Sequence, residues 1–304
     1  MAVKRLLPTG AGCVQWLGAV VLLALLLAAP AFAQDAEALK ARHAALTEQL
    51  GDNPFQRPLH LESRQTDDAL QGDIYALIEQ PYAVVGTALQ GSAHWCDILI
   101  LHLNVKSCRV ASGPAGEVLH LHIGRKFEQA LADAYPFEFA YRVATARPDF
   151  LQVLLDAREG PLGTSRYRIK LEVVALDDRR SFLHLSYSYA YGVAARVATQ
   201  GYLATLGRNK VGFSIVGRTA SGQPVYIGGM RGVIERNTMR YYLAIEAYLS
   251  ALVEPPAMRL EKRLDLWHSG VEQYPAQLHE LERDQYLAIK RKEIQRQQAD
   301  AASE

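Results

Sequence analysis

Between His60 and Tyr191 apolar residues recur at every second position in one short stretch after another, and beyond "PVYIGGMRG" that period does not return. Leu119, Leu121 and Ile123 alternate with His120 and His122; Tyr167, Ile169 and Leu171 alternate with Arg168 and Lys170; Leu183 and Leu185 alternate with His184 and Ser186. "LILHLNV" follows the same pattern, with Leu101, Leu103 and Val105 opposed to His102, Asn104 and Lys106. Successive side chains of a strand point to opposite faces, so each stretch predicts a strand with one face in a core and the other in water. The connections "SGPAG", "EGPLGT" and "LDDRR" are too short for crossover helices. They predict an antiparallel meander, which with a helical end makes the fold α+β.

In "VIERNTMRYYLAIEAYLSAL" the residues Ile234, Thr238, Tyr241, Tyr242, Ile245, Tyr248, Leu249 and Leu252 share one broad helical stripe, and Pro255 and Pro256 end it. Glu235, Arg236, Asn237, Arg240 and Glu246 take the remaining faces. A small helix is expected after the second strand, where Val84, Val85, Ala88 and Leu89 recur at helical spacing. Ahead of the strands, "DAEALKARHAALTEQLG" predicts an amphipathic helix that reads as an appendage. The residues from 253 onward predict a charged helical extension with a solvated, frayed tail.

Lys4 and Arg5 precede "WLGAVVLLALLLAAPAFA", an uncharged apolar run closing on the small-x-small pattern Ala31-Phe32-Ala33. This predicts a cleaved signal peptide over residues 1–33 and a periplasmic or secreted protein. The organisation expected is therefore signal 1–33, N-terminal helix and linker 34–56, sheet-and-helix domain 57–252 and helical extension 253–304. Cys13 would leave with the signal, and Cys96 and Cys108 would enter an oxidising compartment. A disulfide is then the default and two buried free thiols the alternative. The spacing is not C-x-x-C, and no further ligands cluster in sequence, which argues against a redox pair or a structural zinc. A formal net charge of +1 argues against nucleic acid as a partner.

Strand, "QPYAVVGTAL" helix, meander and long final helix is an order that resembles the helix-grip superfamily of START-type lipid-transfer domains and polyketide cyclase/dehydrase proteins. "GDIYALIEQPYAVV" resembles the superfamily's opening; "WCDILILHLNVKSC", "GPLGT" and "ERNTMRYYLAIEAYL" resemble a family of uncharacterised exported bacterial proteins. The resemblance spans residues 57–252. It implies a curved antiparallel sheet wrapped around the long helix, with an apolar cavity between them.

On that inner face Tyr187, Tyr189 and Tyr191 are expected to meet Tyr241, Ile245 and Tyr248 of the helix and to bind an apolar small molecule or lipid. The competing reading is a core network in which the tyrosine hydroxyls satisfy one another. His102, His120, His122 and His184 are expected on the solvent face, with metal binding the sharper but weaker alternative; neither a metal nor a cofactor is expected. Arg236 and Arg240 could meet a phosphate or carboxylate head group, although Glu235 and Glu246 favour surface pairing. G-x-S-x-G and H-E-x-x-H are absent. A binding protein for a lipid or other apolar molecule is the first expectation. A cyclase- or hydratase-like enzyme and an envelope protein docking a partner through its C-terminal helices remain as alternatives.

Overall fold

The computed structural model describes residues 31–302 apart from Ala115 and Leu206. The expected signal peptide lies outside them, except for Ala31–Ala33 at the start of the first helix. Helices α1 (Ala31–Ala45) and α2 (Thr47–Gly51) precede strands β1 (Leu59–Gln65) and β2 (Ala69–Ile78). Two small helices, α3 (Tyr82–Leu89) and α4 (Ser92–Leu99), lead into the meander. Its strands are β3 (Val105–Gly113), β4 (Gly116–Ile123), β5 (Tyr135–Ala146), β6 (Phe150–Glu159), β7 (Thr164–Ala175) and β8 (Ser181–Tyr191). Then come α5 (Val193–Ala204), a hairpin of β9 (Ile215–Arg218) and β10 (Pro224–Tyr226), and the long α6 (Gly229–Ser250). Helices α7 (Arg259–Glu272), α8 (Pro275–Leu278) and α9 (Arg283–Ala302) follow.

Eight strands form one antiparallel sheet in the order β1-β2-β8-β7-β6-β5-β4-β3. Register slips at Val105/Ser107, Val143/Thr145 and Ser165/Arg168 bend it, since an extra residue on one strand sharpens the local twist. The inner face carries Ile74, Leu185, Leu171 and Val153, all fully buried. The fold is thus α+β, with the sheet wrapped around α6. The helix can approach β2 closely because Gly72 has no side chain there: a Cβ at that position would lie 2.3 Å from Thr238 Oγ1.

Three expectations are corrected. The N-terminal helix is no appendage, because Ala36, Leu39, Leu46 and Leu50 pack with Phe150, Val174 and Phe182 and cover one corner of the outer sheet face. "LILHLNV" is not a strand: His94–Leu99 is helical, residues 100–104 form a turn, and β3 begins only at Val105. Its alternation fails because Leu101, His102 and Leu103 are all buried, being covered by the C-terminal helix. That helix is the third correction, for the expected frayed tail is docked. Tyr286 donates its hydroxyl to the Leu101 carbonyl at 3.0 Å, Arg296 donates to the Lys106 carbonyl at 3.0 Å, and Gln297 accepts the Cys108 amide at 2.8 Å.

Beneath α9 two fully buried ammonium groups share one carboxylate: Lys106 Nζ lies 3.0 Å from Glu293 Oε1, and Lys290 Nζ 2.8 Å from Glu293 Oε2. Lys290 also donates to the carbonyls of His102 (2.9 Å) and Val105 (2.7 Å), which fixes the turn before β3. Burial lowers its pKa to about 8. Cys96 of α4 and Cys108 of β3 form a disulfide with their Cα atoms 5.2 Å apart. The short loop it closes is worth about 3 kcal/mol on a chain-entropy estimate.

Candidate functional site

The inner face changes character toward the β7/β8 end. Tyr187 and Tyr189 of β8 lie with ring centroids 5.8 Å apart, Tyr167 of β7 stacks on Tyr189 at 5.1 Å, and Tyr241 of α6 meets Tyr187 edge-on at 5.0 Å. Tyr167 donates to Thr164 Oγ1 at 2.8 Å. Burial pushes the pKa of all four phenols upward, so they act as neutral donors and acceptors at neutral pH. Tyr187 and the aliphatic residues behind it are buried, whereas Tyr167, Tyr189 and Tyr241 keep free surface although they face inward.

Of the six residues expected to line a ligand site, the structure gathers Tyr187, Tyr189 and Tyr241. Tyr191 continues the row but turns its hydroxyl to the Thr66 carbonyl (2.8 Å) and lines an open cleft of about 510 Å³ with Gln65, Arg196, Gly229 and Arg231. Ile245 is 1% exposed within the packed core. Tyr248 lies further along α6, under the Arg263 guanidinium at 4.4 Å and against His94 at 5.7 Å.

What stands beside the tyrosines was expected in water: His102, placed on the solvent face by its parity, is buried instead. His102 packs on Tyr241 with ring centroids 5.0 Å apart and is 3% exposed. Desolvation, reinforced by Arg240, Lys290, Lys126 and Lys106, holds its pKa well below the ordinary value. Arg236 and Arg240 are 2% and 1% exposed, so the expected surface pairing with Glu235 and Glu246 is corrected. Arg240 Nη2 and Lys126 Nζ meet the same oxygen of Glu280, at 2.8 and 2.5 Å. Glu235 is itself buried, accepting from Ser63 Oγ (2.6 Å), Ser214 Oγ (2.7 Å) and the amides of Phe213 (2.6 Å) and Ser214 (2.9 Å). The signal available in the sequence was the pair of arginines one turn apart; the alternation that put His102 on the solvent face misplaces it, because its burial depends on a helix nearly two hundred residues away.

The histidine face is corrected in part. His120 stays half exposed beside Glu138 (3.1 Å), and His122 bonds Ser107 Oγ at 2.8 Å. His184, however, is 7% exposed, stacked on Tyr75 at 4.3 Å, with Nε2 3.0 Å from Asp73 and Nδ1 2.8 Å from Glu172. Among the described residues no group of three or more His, Cys, Asp or Glu side chains is arranged to hold a metal ion.

The His184 trio makes stability depend on pH. Burial opposes charge on all three groups, but their mutual hydrogen bonds win: the His184 pKa is raised, that of Asp73 lowered, and that of Glu172 lowered to about 2. The histidine contribution is complete below its unfolded value near 6.5 and is lost as pH rises through the raised folded value. The carboxylate contributions are complete above about pH 4.5 and are lost as pH falls toward 2. Between pH 6 and 8.5 the His184 contribution to stability should fall, so the change in urea-unfolding stability over that range should be less negative in His184→Gln than in the parent; an identical change would show that His184 does not contribute.

No family model matches the chain, and no curated protein matches it. Solved structures do. Norcoclaurine synthase from Thalictrum flavum, a point mutant in complex with a transition-state analogue, is 15% identical and covers 47% of this chain and 93% of its own, with a TM-score of 0.32. The Zhui aromatase/cyclase from Streptomyces sp. R1128 is 12% identical over 71% of this chain and 96% of its own, with a TM-score of 0.32. An uncharacterised protein from Bacillus thuringiensis is 13% identical over 45% of this chain and 93% of its own, with a TM-score of 0.30. These similarities are of the kind that the helix-grip resemblance implies. At such TM-scores they carry no argument of their own, and the fold assignment rests on the sheet and helix described above.

Proposed function

We propose that this is an exported binding protein that holds a lipid or other apolar small molecule between the tyrosine end of the sheet and α6, on residues Tyr187, Tyr189 and Tyr241. One observation supports the reading: Tyr167, Tyr189 and Tyr241 stand beside Tyr187 on the inner face and are only partly buried against the core. Apolar rings with a few hydroxyls are the lining that an apolar ligand with a polar end requires. Burying a chain of about ten carbons there, at ~0.8 kcal/mol per methylene, would contribute about 8 kcal/mol, the equivalent of roughly micromolar binding before association costs are subtracted. A cyclase-like enzyme is the second reading, with the phenols of Tyr187 and Tyr241, held protonated by burial, as candidate general acids.

The neutral dye Nile red tests the container without relying on charge. It is expected to bind the purified protein, and Tyr189→Trp should weaken that binding about tenfold while lowering stability by less than about 1 kcal/mol, because open space accepts the larger ring. In a filled core the same change overpacks and costs about 1–3 kcal/mol. That cost, together with no dye binding by the parent protein, would refute the container.

A further inference from the structure

We propose that the protein carries a second site, separate from the tyrosine end of the sheet, which binds one ring of a neutral saccharide in the pocket between the Pro54–Gln56 turn, β10 and α8.

The pocket holds about 220 Å³ and has two kinds of wall. One is aromatic. Phe55, Phe213 and Tyr274 pack at an angle to one another, with centroids 5.8 Å apart for Phe55 and Phe213 and 5.3 Å for Phe213 and Tyr274, and Tyr226 of β10 stands beside them. Tyr274 commits its hydroxyl to the Phe55 carbonyl at 2.9 Å, so what it offers the pocket is its ring. The other wall is built of carboxamides, those of Gln56, Gln273 and Gln277. Gln273 Oε1 accepts from Arg57, whose charge is met by Glu246 at 2.5 Å, and this leaves the Gln273 amino group to the pocket. Among the described residues no charged side chain lines it.

Gln277 is the residue that points to a ligand. It is 6% exposed, yet its amide meets no hydrogen-bond partner among the described residues. A carboxamide has two N–H donors and an accepting oxygen, and leaving them unmade in a desolvated place is costly. An occupant bearing hydroxyls supplies partners for both ends of the amide. Gln56 adds a second amide at the rim. It is held at φ 57°, a left-handed conformation that strains any residue with a side chain. Asn53 fixes the turn, accepting the Phe55 amide at 2.9 Å and donating to the Arg57 carbonyl at 2.9 Å. Glycine would take that conformation without strain, so what glutamine contributes there is its side chain.

The lining selects among ligand classes. An ion would find no counter-charge, and an acyl chain would leave three carboxamides unpaired. Pro54 and Pro275, which also line the pocket, carry no N–H, so an extended peptide would find no ladder of backbone donors. A sugar ring suits both walls: its C–H faces lie against the aromatic rings, and its hydroxyls, each a donor and an acceptor, pair with the amides.

Saturation-transfer difference NMR on the purified protein tests the site with cellobiose, maltose and N,N′-diacetylchitobiose, and with acetyl-trialanine amide as a neutral peptide probe. At least one of the sugars should show transfer onto its ring C–H protons, with millimolar or tighter affinity. Gln277→Leu should weaken that binding about tenfold, leave Nile red binding unchanged and not lower the melting temperature, because it removes an orphaned amide. Gln56→Gly gives an independent comparison should Gln277→Leu fold poorly: sugar binding should fall while the melting temperature holds or rises, since the left-handed residue is relaxed. No transfer to any sugar at tens of millimolar, or sugar binding that neither variant alters, would overturn the site. Binding of the peptide in place of the sugars would overturn the saccharide. None of these outcomes bears on the container, which Nile red reads by itself.

Discussion

Glu293→Leu should lower unfolding stability by about 3–5 kcal/mol, the cost of removing one partner from a buried ion pair. The reason is the geometry beneath α9: Lys106 and Lys290 are 0% exposed and both lie within 3.0 Å of that single carboxylate. Without it, two ammonium groups stand buried and close, and one must lose its proton or the helix must lift. Chemical denaturation of the variant at pH 7 measures the loss. At pH 9.5 the loss should be smaller, since Lys290, with its pKa near 8, is by then mostly neutral. A loss below about 1 kcal/mol would mean that α9 is not held by this cluster.

Gly72→Val should cost at least about 3 kcal/mol, at the upper end of what overpacking does. The Cβ alone would sit 2.3 Å from Thr238 Oγ1 and 3.2 Å from Thr238 Cβ, and Thr238 is fixed on α6 by its hydroxyl, which donates to the Ile234 carbonyl at 2.8 Å. Either α6 rises from β2 or the strand bends. Thr238→Ala in the same chain should recover 1 kcal/mol or more, about the size of coupling expected for residues in contact. Additive losses in the double variant would show that helix and strand do not meet there.

Much of the fold was legible because period records burial. Leu119 and Leu121, Ile169 and Leu171, and Leu183 and Leu185 point into the core as their alternation implied, and the stripe from Ile234 to Leu252 marked the long helix. The same rule failed at residues 101–104, where three consecutive side chains are buried because the turn is enclosed by a remote helix and not by the sheet alone. Strand β5 is absent from the expected elements, although Phe137, Phe139 and Tyr141 alternate cleanly. At the candidate site the tyrosines were legible from strand parity. The cations were legible only as residue types, because charge on a helix predicts water until another element covers it. Arg240 is covered by the segment around Leu278 and Glu280, and nothing in the local sequence announces that.

The docking of α9 along β3 bears on how the chain avoids its neighbours. β3 is the last strand of the sheet, and a strand at an edge offers a row of backbone groups to any other chain that can pair with it. Gln297 takes the Cys108 amide and Arg296 the Lys106 carbonyl, so the first half of this edge is covered by α9, while Ala111–Gly113 stay exposed. Because α9 follows every strand in the chain, the edge is the feature that stays open longest as the polypeptide emerges and folds. Loss of the helix would then show itself as self-association through β3 as much as in a lower melting temperature.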